Sequence, residues 1–338
     1  MKNNASLREI GEILEKYDSV AVLPHISPDG DGLGASVALV GALRALGKEA
    51  NVVLEEDVPE YIDFLNTEHV LNIVQGSDPC TEYRTGVRPH NGYAAIAVDC
   101  SEESRIPSRV ELFKGAEVKL CVDHHMAKEG FGDYYYIDET AAAASELIYM
   151  LIDEMGWEMD VDAATALYTG IVTDTGSFQY SNTTRQTHDI AGALIEKGVN
   201  VNDVSVALFQ NVPLRQIRTE ARVLETLEIF ANGKAGIAYV TQEMLDEMGA
   251  TTDDTETVID VIRNVTGVEI AAFLKEKMVA GEMAVKVSLR AKTDGNVQEI
   301  AAKFEGGGHR KAAGCTLYED IETAVARLKE AIADSLEK

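Results

Sequence analysis

Short apolar runs that alternate with helical stretches constrain the fold of this chain more than any other feature. Largely apolar segments cover residues 19–23, 50–54, 94–98 and 118–122, and a helix is predicted over 32–46. Strands that are apolar throughout are typical of parallel sheets whose two faces are covered by helices. The alternation therefore predicts an α/β domain built on a parallel sheet.

Aspartate and histidine residues lie at or near the ends of these runs. In an open parallel sheet, ligands bind beyond the carboxyl ends of the strands, so residues from distant segments can converge there. Carboxylates and imidazoles together suit divalent cations such as manganese, iron, zinc or magnesium. Two such cations in one site favour hydrolysis of a phosphate ester. The residues concerned lie in four segments: Pro24–Asp31, Val98–Asp99, Val122–His125 and Thr173–Gly176.

Each segment also has a simpler interpretation. Pro28-Asp29-Gly30 is a common turn sequence, and Asp31 could cap the helix that follows it. Asp99 could be a cap or a polar loop residue, and Asp174 could be a cap before a glycine. Asp123-His124-His125 could be a polar surface loop. No segment decides between the two interpretations alone, and their combination is what indicates a metal site.

The pattern changes from residue 234 onward and predicts a second, smaller α/β domain. Strands are expected at 235–240, 269–274, 284–290 and 315–318, with helices between them. Before this domain, a helix is predicted over 213–230. We therefore expect a parallel-sheet domain with flanking helices, a helical linker, and a smaller α/β domain with a mixed sheet, which cover residues 1–190, 191–232 and 233–338.

A glycine-rich segment near the C-terminus is a candidate phosphate-binding site. Consecutive glycines let the backbone approach an anion closely, and a planar guanidinium can hold a phosphate. Residues 286–311 carry six Lys or Arg and three Asp or Glu, which gives 6 − 3 = +3 in an acidic chain. The alternative is a flexible glycine turn. The candidate binding residues are Arg290, Gly307, Gly308, His309 and Arg310.

The net charge of −27 argues against tight binding to long nucleic acid, which requires many phosphates to be neutralised by Lys and Arg. It does not exclude small anions, because bound divalent cations can dominate the local field. The chain has four cysteines without CxxC spacing, which indicates reduced thiols and a reducing compartment. No signal peptide or membrane span is evident, so we expect a soluble cytoplasmic protein.

Taken together, these residues resemble the DHH/DHHA1 phosphoesterase superfamily. Asp123-His124-His125 is the triplet of the first name, and Gly306–His309 resembles the signature of the DHHA1 domain. The compact two-domain length looks most like the stand-alone NrnA-type members. Those are oligoribonucleases that also remove phosphate from 3′-phosphoadenosine-5′-phosphate (pAp). Close relatives cleave cyclic di-AMP or its linear product pApA.

The resemblance implies two divalent metal ions, with Mn²⁺ as the expected ion. It implies that His125 contacts the scissile phosphate, that Asp123 supports an imidazole, and that Arg290 and His309 hold the nucleotide's other phosphate or its sugar. Ala291 departs from related sequences, which often have serine there, and this leaves the fine choice of substrate open. The implied metal ligands are His25, Asp29 and Asp99 for one ion, and Asp31, Asp99, His124 and Asp174 for the other.

The activity implied is metal-dependent hydrolysis of short oligoribonucleotides (nanoRNA), of pAp, or of both, to mononucleotides by two-metal activation of water. One alternative is a cyclic di-AMP or pApA phosphodiesterase, and another is a catalytically weak nucleotide-binding regulator. Pyrophosphate hydrolysis would leave the glycine-rich domain without a purpose. The expected partner is short RNA or a small nucleotide, with no long nucleic acid and no membrane, and a homodimer stays open.

Overall fold

The computed structural model describes residues 4–72, 92–125, 131–279, 282–293 and 295–336. The chain divides into two compact units, Met1–Asn211 and Val212–Lys338, and the predicted α/β class is confirmed. The domain boundaries proposed from the sequence, including the linker over 191–232, stay a prediction. Within the described ranges, no helix is long and apolar enough to cross a membrane.

The first unit is built on a six-stranded sheet in the order β3-β2-β1-β4-β5-β6, and all five pairings are parallel. Both sheet faces carry apolar clusters, as expected for buried parallel strands. Its helices and strands are α1 (Leu7–Leu14), β1 (Ser19–Leu23), α2 (Gly30–Ala45), β2 (Glu49–Leu54), β3 (Val70–Asn72), β4 (Ala94–Val98), α3 (Val110–Lys114), β5 (Val118–Asp123), β6 (Tyr134–Ile137), α4 (Ala144–Met155), α5 (Val161–Asp174), α6 (Arg185–Glu196) and α7 (Val201–Phe209).

The strand order reverses between β1 and β4, and this switch point positions the site. From β1 the chain proceeds outward to β2 and β3, and from β4 it proceeds the other way to β5 and β6. Leu23 pairs with Ala97, so the segments that follow these two strands leave the same edge of the sheet side by side. A crevice forms at such a point because neighbouring connections diverge to opposite faces.

Close packing between α2 and α5 brings two further segments to that edge. A Cβ atom on Gly34 of α2 would lie 2.3 Å from the carbonyl oxygen of Ala166 in α5. A Cβ atom on Gly170 would lie 2.8 Å from the Asp31 Oδ1 atom. Both positions therefore require glycine, and the two helices approach closely enough to place the start of α2 beside the end of α5 at Asp174.

The second unit contains a mixed six-stranded sheet in the order β11-β12-β10-β9-β8-β7, as predicted. Strands β8 and β9 are parallel, and the other pairings are antiparallel. Apolar clusters lie against both faces of this sheet. Its elements are α8 (Leu214–Leu224), β7 (Glu228–Phe230), β8 (Ala235–Val240), α9 (Gln242–Met248), α10 (Val258–Asn264), β9 (Ile270–Val279), β10 (Glu282–Ala291), α11 (Val297–Ala302), β11 (Gly307–Gly308), β12 (Ala312–Leu317) and α12 (Ile321–Leu336).

Some element predictions were wrong in detail. The helix predicted over 213–230 ends at Leu224, because the following residues pair as β7 with β8. Isoleucine and phenylalanine in that stretch favour an extended backbone once a partner strand is available. Strand β3 and helix α9 were not predicted, since both are short and their patterns are weak. Helix α2 begins at Gly30, and its cap is Asp29 rather than Asp31.

Candidate metal centre

The six predicted metal ligands come together at the carboxyl edge of the first sheet. They form two groups, and within each group the potential ligand atoms lie within 4.8 Å of one another. Each group combines carboxylates with one imidazole, which is the donor set of a divalent cation site. We name them the His25 group, which is His25, Asp29 and Asp99, and the Asp31 group, which is Asp31, His124 and Asp174.

Asp99 lies between the two groups. Its Oδ2 atom is 3.3 Å from the Nε2 atom of His25, and its Oδ1 atom is 3.4 Å from the Nε2 atom of His124. The residue is buried and has a φ of +57°, a left-handed conformation that aspartate tolerates better than most residues. One carboxylate thus offers an oxygen to each group and could be shared by two cations.

Asp29 combines a structural contact with a free oxygen. It is the N-cap of α2, and its Oδ1 atom accepts hydrogen bonds from the backbone N–H groups of Asp31 and Gly32 at 3.1 and 3.0 Å. Its Oδ2 atom lies 3.7 Å from the His25 Nε2 atom. The cap and the metal-ligand interpretations of this residue are therefore compatible, because they use different oxygens.

Asp31, in the first turn of α2, is fully buried and faces the N-terminal end of α4. Its Oδ2 and Oδ1 atoms accept hydrogen bonds from the backbone N–H groups of Ala144 at 2.6 Å and Ser145 at 2.8 Å. These donors and the positive end of the helix dipole stabilise the ionised carboxylate. Its Oδ2 atom is also 3.8 Å from the His124 Nε2 atom, so the same oxygen faces the Asp31 group.

The two adjacent histidines both approach Asp99 Oδ1, at 3.4 Å from His124 Nε2 and 3.2 Å from His125 Nδ1, but their other contacts differ. The Nδ1 atom of His124 is 3.3 Å from the Ala141 carbonyl oxygen, and its Nε2 atom is 3.3 Å from the Oδ2 atom of Asp174. Since a carbonyl only accepts, Nδ1 carries the proton and Nε2 is left to ligate. The His125 side chain is 43% exposed and its Nδ1 atom is 2.9 Å from Asp123 Oδ1.

Asp123 supports both histidines through a single oxygen. Its Oδ1 atom accepts hydrogen bonds from the backbone N–H groups of His124 at 2.7 Å and His125 at 3.0 Å, in addition to the His125 ring contact. With three donors on that oxygen, Asp123 fixes the loop that carries the imidazoles. This geometry is the one the sequence-based interpretation proposed for a supporting residue.

The pKa values of four ligand side chains are shifted by burial and by their charged neighbours. Burial lowers the pKa of His25 and of His124, but the closeness of Asp99 and the other carboxylates outweighs it and raises both values to about 10. Burial and the charge of Asp31 raise the pKa of Asp174 to about 8. Burial and the charge of Asp99 raise the pKa of Asp31 to about 7, although the charge of His124 lowers it. These shifts reflect the close packing of carboxylates around the imidazoles.

Two observations show that divalent cations fit this cluster. The Oδ1 atom of Asp99 and the Nε2 atom of His124 are buried and lack a hydrogen-bond partner, although buried polar atoms nearly always have one. In the part of the chain that the structure describes, no Lys or Arg forms an ion pair with any carboxylate of the two groups. Cations would satisfy both the unpartnered atoms and the negative charge.

We expect the Mn²⁺ affinity of the Asp31 group to rise with pH between about pH 6 and pH 9. A cation binds the deprotonated ligands, so the protons held by His124, Asp31 and Asp174 compete with it, and lower pH strengthens that competition. Calorimetric titration in buffers of different ionisation enthalpy measures both the affinity and the protons released. A pH-independent affinity without proton release, in protein shown by circular dichroism to be folded, would contradict this expectation.

A buried ion pair that the sequence analysis missed holds the loop before His25. The Arg109 side chain is fully buried and its Nε atom donates to Glu55 Oε2 at 2.7 Å. Its Nη1 atom donates to the carbonyl oxygens of Pro24 at 2.7 Å and Val53 at 2.9 Å. No sequence pattern marks this pair, because its members are separated by 54 residues and come together only in the folded sheet.

The candidate phosphate-binding residues of the second unit also lie together. Arg290, near the end of β10, pairs with Ala312 of β12. The next residue of β12, Ala313, pairs with Gly308 of β11. His309 and Ala312 exchange backbone hydrogen bonds at 2.7 and 3.2 Å, which closes the turn. The glycines therefore form one strand of a hairpin whose turn carries His309 and Arg310, and Arg290 lies on the strand next to that hairpin.

The three glycines of that hairpin differ in what surrounds them. A Cβ atom on Gly306 would lie 2.2 Å from the Gly314 carbonyl oxygen, and one on Gly308 would lie 2.6 Å from the Ala312 carbonyl oxygen. Packing within the hairpin explains both glycines. Gly307 has no atom within 4 Å of the same position, so its exposed backbone is open to an approaching ligand.

Comparisons with known proteins agree with this architecture. A family model described as "DHH family, N-terminal domain" matches residues 19–171, and one described as "DHHA1 domain" matches residues 232–335. The chain is 33% identical over 333 residues to the bifunctional oligoribonuclease and PAP phosphatase NrnA of Thermus thermophilus, with 98% of this chain and 94% of that protein covered.

Two solved structures share the fold. An exopolyphosphatase-related protein from Bacteroides fragilis has a TM-score of 0.86 at 23% identity, covering 98% of this chain and 97% of that one. RecJ of Thermus thermophilus in complex with Mn²⁺ has a TM-score of 0.54 at 16% identity, covering 97% of this chain and 54% of RecJ. The family matches and the near-complete alignment lead to one conclusion: this chain belongs to the DHH–DHHA1 family of phosphoesterases, alongside the NrnA proteins.

Proposed function

We propose that this protein is a metal-dependent phosphoesterase that hydrolyses short oligoribonucleotides and pAp to mononucleotides. The observation that carries the proposal is the convergence of two complete ligand groups on the buried carboxylate of Asp99. The substrate class, short RNA and pAp, follows from the activities for which the Thermus thermophilus relative is named. Mn²⁺ is the ion we propose, since carboxylate and imidazole ligands suit it and the RecJ structure contains it.

The residues of the two groups would hold one cation each, with Asp99 shared between them. When bound, the two cations would supply a nucleophilic water at neutral pH and would stabilise charge on the phosphoryl oxygens. The buried carboxylates and imidazoles fix the cation positions before substrate arrives, because hydrogen bonds to the backbone already orient Asp29, Asp31 and His124.

His125 is the residue we propose to act on the substrate directly. Its Nδ1 atom is held by Asp123, which leaves the Nε2 atom as the ring nitrogen that can face a phosphate. The hydrogen bond to Asp123 and the closeness of Asp99 raise its pKa to about 11, which favours the protonated imidazole. A protonated ring donates a hydrogen bond to a phosphoryl oxygen and can pass its Nε2 proton to the leaving oxygen.

The hairpin of the second unit is the segment we propose to bind a phosphate or the sugar of a nucleotide. The Arg290 guanidinium offers a bidentate contact to a phosphate, and the open backbone of Gly307 allows a close approach. His309 and Arg310 are exposed on the same turn and would add donors. The net charge of −27 disfavours long RNA.

A substrate panel with Mn²⁺ tests this proposal. We expect release of mononucleotides from pAp and from RNA of two to five nucleotides, and slow turnover of long RNA at physiological salt. Cyclic di-AMP and pApA belong in the same panel, and faster turnover of these two would instead favour a role in cyclic dinucleotide breakdown. Binding of pAp without turnover of any substrate would indicate a nucleotide-binding regulator and would contradict the proposal. Removal of the ions with a chelator serves as the control.

A further inference from the structure

One backbone segment, Ala141–Ser145, contacts two of the three ligands of the Asp31 group directly. The carbonyl oxygen of Ala141 lies 3.3 Å from the Nδ1 atom of His124. The N–H groups of Ala144 and Ser145 donate to the carboxylate of Asp31 at 2.6 and 2.8 Å. The position of this segment therefore sets the orientation of an imidazole and a carboxylate that come from β5 and α2.

The peptide groups of Ala142, in the middle of that segment, are held from two sides. The Nδ2 atom of Asn182 donates to the Ala142 carbonyl oxygen at 3.0 Å, and the Ala142 N–H group donates to Glu146 Oε2 at 3.1 Å. The same Nδ2 atom donates to the backbone carbonyl oxygen of Asp174 at 3.1 Å. Asn182 thus links the segment to the end of α5, where the third ligand of the group is located.

The chemistry of these contacts requires the amide nitrogen. Both partners of the Asn182 Nδ2 atom are carbonyl oxygens, which only accept, so the amide orientation is fixed by its surroundings. A primary amide supplies two N–H donors from one atom, which a hydroxyl or a carboxylate cannot do. Glu146 is 1% exposed, and a buried carboxylate without its partner is costly. These two side chains leave the segment little freedom.

We propose that Asn182 is a positioning residue for the cation held by the Asp31 group, acting with Glu146 through the Ala142 peptide. The inference rests on the proposed function, because it assumes that this group binds a metal ion. Groups that orient metal ligands from behind typically change metal affinity by about 10–100-fold when they are removed. The hydrogen bonds that Asn182 donates in the described part of the chain go to Ala142 and Asp174, on the side of the Asp31 group, so we expect its effect to be specific to one of the two ions.

Titration of metal-free protein with Mn²⁺, followed by electron paramagnetic resonance and calorimetry without nucleotide, tests this role. We expect two ions to bind the wild-type chain. In Asn182→Ala one affinity should stay unchanged and the other should fall by about 10–100-fold. Asn51→Ala is a matched control, because Asn51 is a buried asparagine on β2 that accepts a hydrogen bond from Arg44 at 2.9 Å. Both of its Mn²⁺ affinities should equal those of the wild type.

The possible results separate the positioning role from the proposed function. Two unchanged affinities in Asn182→Ala, or an equal loss of both, overturn the positioning role while leaving the proposed function intact. A wild-type chain that binds no Mn²⁺ contradicts the proposed function itself.

A second pair of variants decides the matter if Asn182→Ala does not fold. Glu146→Gln keeps an oxygen that accepts from the Ala142 N–H group, whereas Glu146→Ala removes it. We expect Gln to retain the second Mn²⁺ affinity and Ala to weaken it. Equal affinities in the two variants overturn the inference, because the hydrogen bond to the peptide would then have no influence on the ion.

Discussion

Asp99→Asn is expected to lower kcat/KM on pAp by at least about 1,000-fold. Asp99 faces both ligand groups, through Oδ2 toward His25 and Oδ1 toward His124. An amide keeps the volume but replaces one of the two oxygens with a nitrogen that cannot ligate, so one ion loses a ligand and both lose the negative charge of the carboxylate. Metal ions contribute several kcal/mol of transition-state stabilisation, and each 1.36 kcal/mol changes the rate tenfold, which gives a loss of about this size.

Asparagine is a better test here than alanine. At a φ of +57° an alanine side chain would add backbone strain to the loss of the carboxylate, whereas asparagine tolerates the left-handed region. The matched control is Asp189→Asn on α6, where the carboxylate is 65% exposed and pairs with Arg185 on the surface. Steady-state kinetics should show the control at wild-type turnover. Activity of Asp99→Asn within tenfold of that control would rule out a shared bridging ligand.

Arg109→Ala is expected to destabilise the first unit by about 3–5 kcal/mol, the cost of leaving a buried charge without its partner. The guanidinium is fully buried, and its removal leaves Glu55 unpaired together with the carbonyl oxygens of Pro24 and Val53. Because Pro24 directly precedes His25, we also expect weaker binding of the ion held by the His25 group. Urea denaturation and Mn²⁺ titration of the same preparation measure the two effects.

A surface pair of the same type provides the control for this variant. Arg185 pairs with Asp189 as Arg109 pairs with Glu55, but the Arg185 side chain is 93% exposed. Arg185→Ala should therefore change the free energy of unfolding by no more than about 0.5 kcal/mol. The double variant Arg109→Met/Glu55→Leu should recover most of the loss, since neither buried charge remains. If Arg109→Ala were as stable as Arg185→Ala, the buried pair would have no role in holding the loop.

The ligand residues could be predicted because each one adjoins a local signal. Asp99 and His124 directly follow apolar strands, Asp29 and Asp31 lie at the start of a helix, and all of these patterns are short and continuous in the sequence. The family resemblance then assigned the residues to two cations. The structure brings these residues together in the same two groups, and their metal-binding roles stay a prediction for the experiments above.

The residues that support the ligands could not be predicted in this way. Asn182, Glu146 and Arg109 act through backbone carbonyl and N–H groups, which every residue carries, so nothing in the local sequence distinguishes their partners. In the sequence, Gly170 likewise looks like an ordinary helix glycine. Only the structure shows that a Cβ atom there would collide with Asp31. The end of the helix predicted over 213–230 was misjudged for a related reason, since its last residues become a strand only by pairing with β8.

Local patterns were enough to establish the fold class, the family and the chemical types of the candidate ligands, because buried strands, helix starts and the polar residues beside them can be recognised along the chain. The folded chain was needed to learn which oxygen of Asp99 faces which group, which nitrogen of His124 is left to ligate, and what holds Asp31 in place. Those properties depend on the meeting of β1 and β4 at the switch point and on the approach of α5 to α2. Contacts between distant segments are set by packing, and no local pattern encodes them.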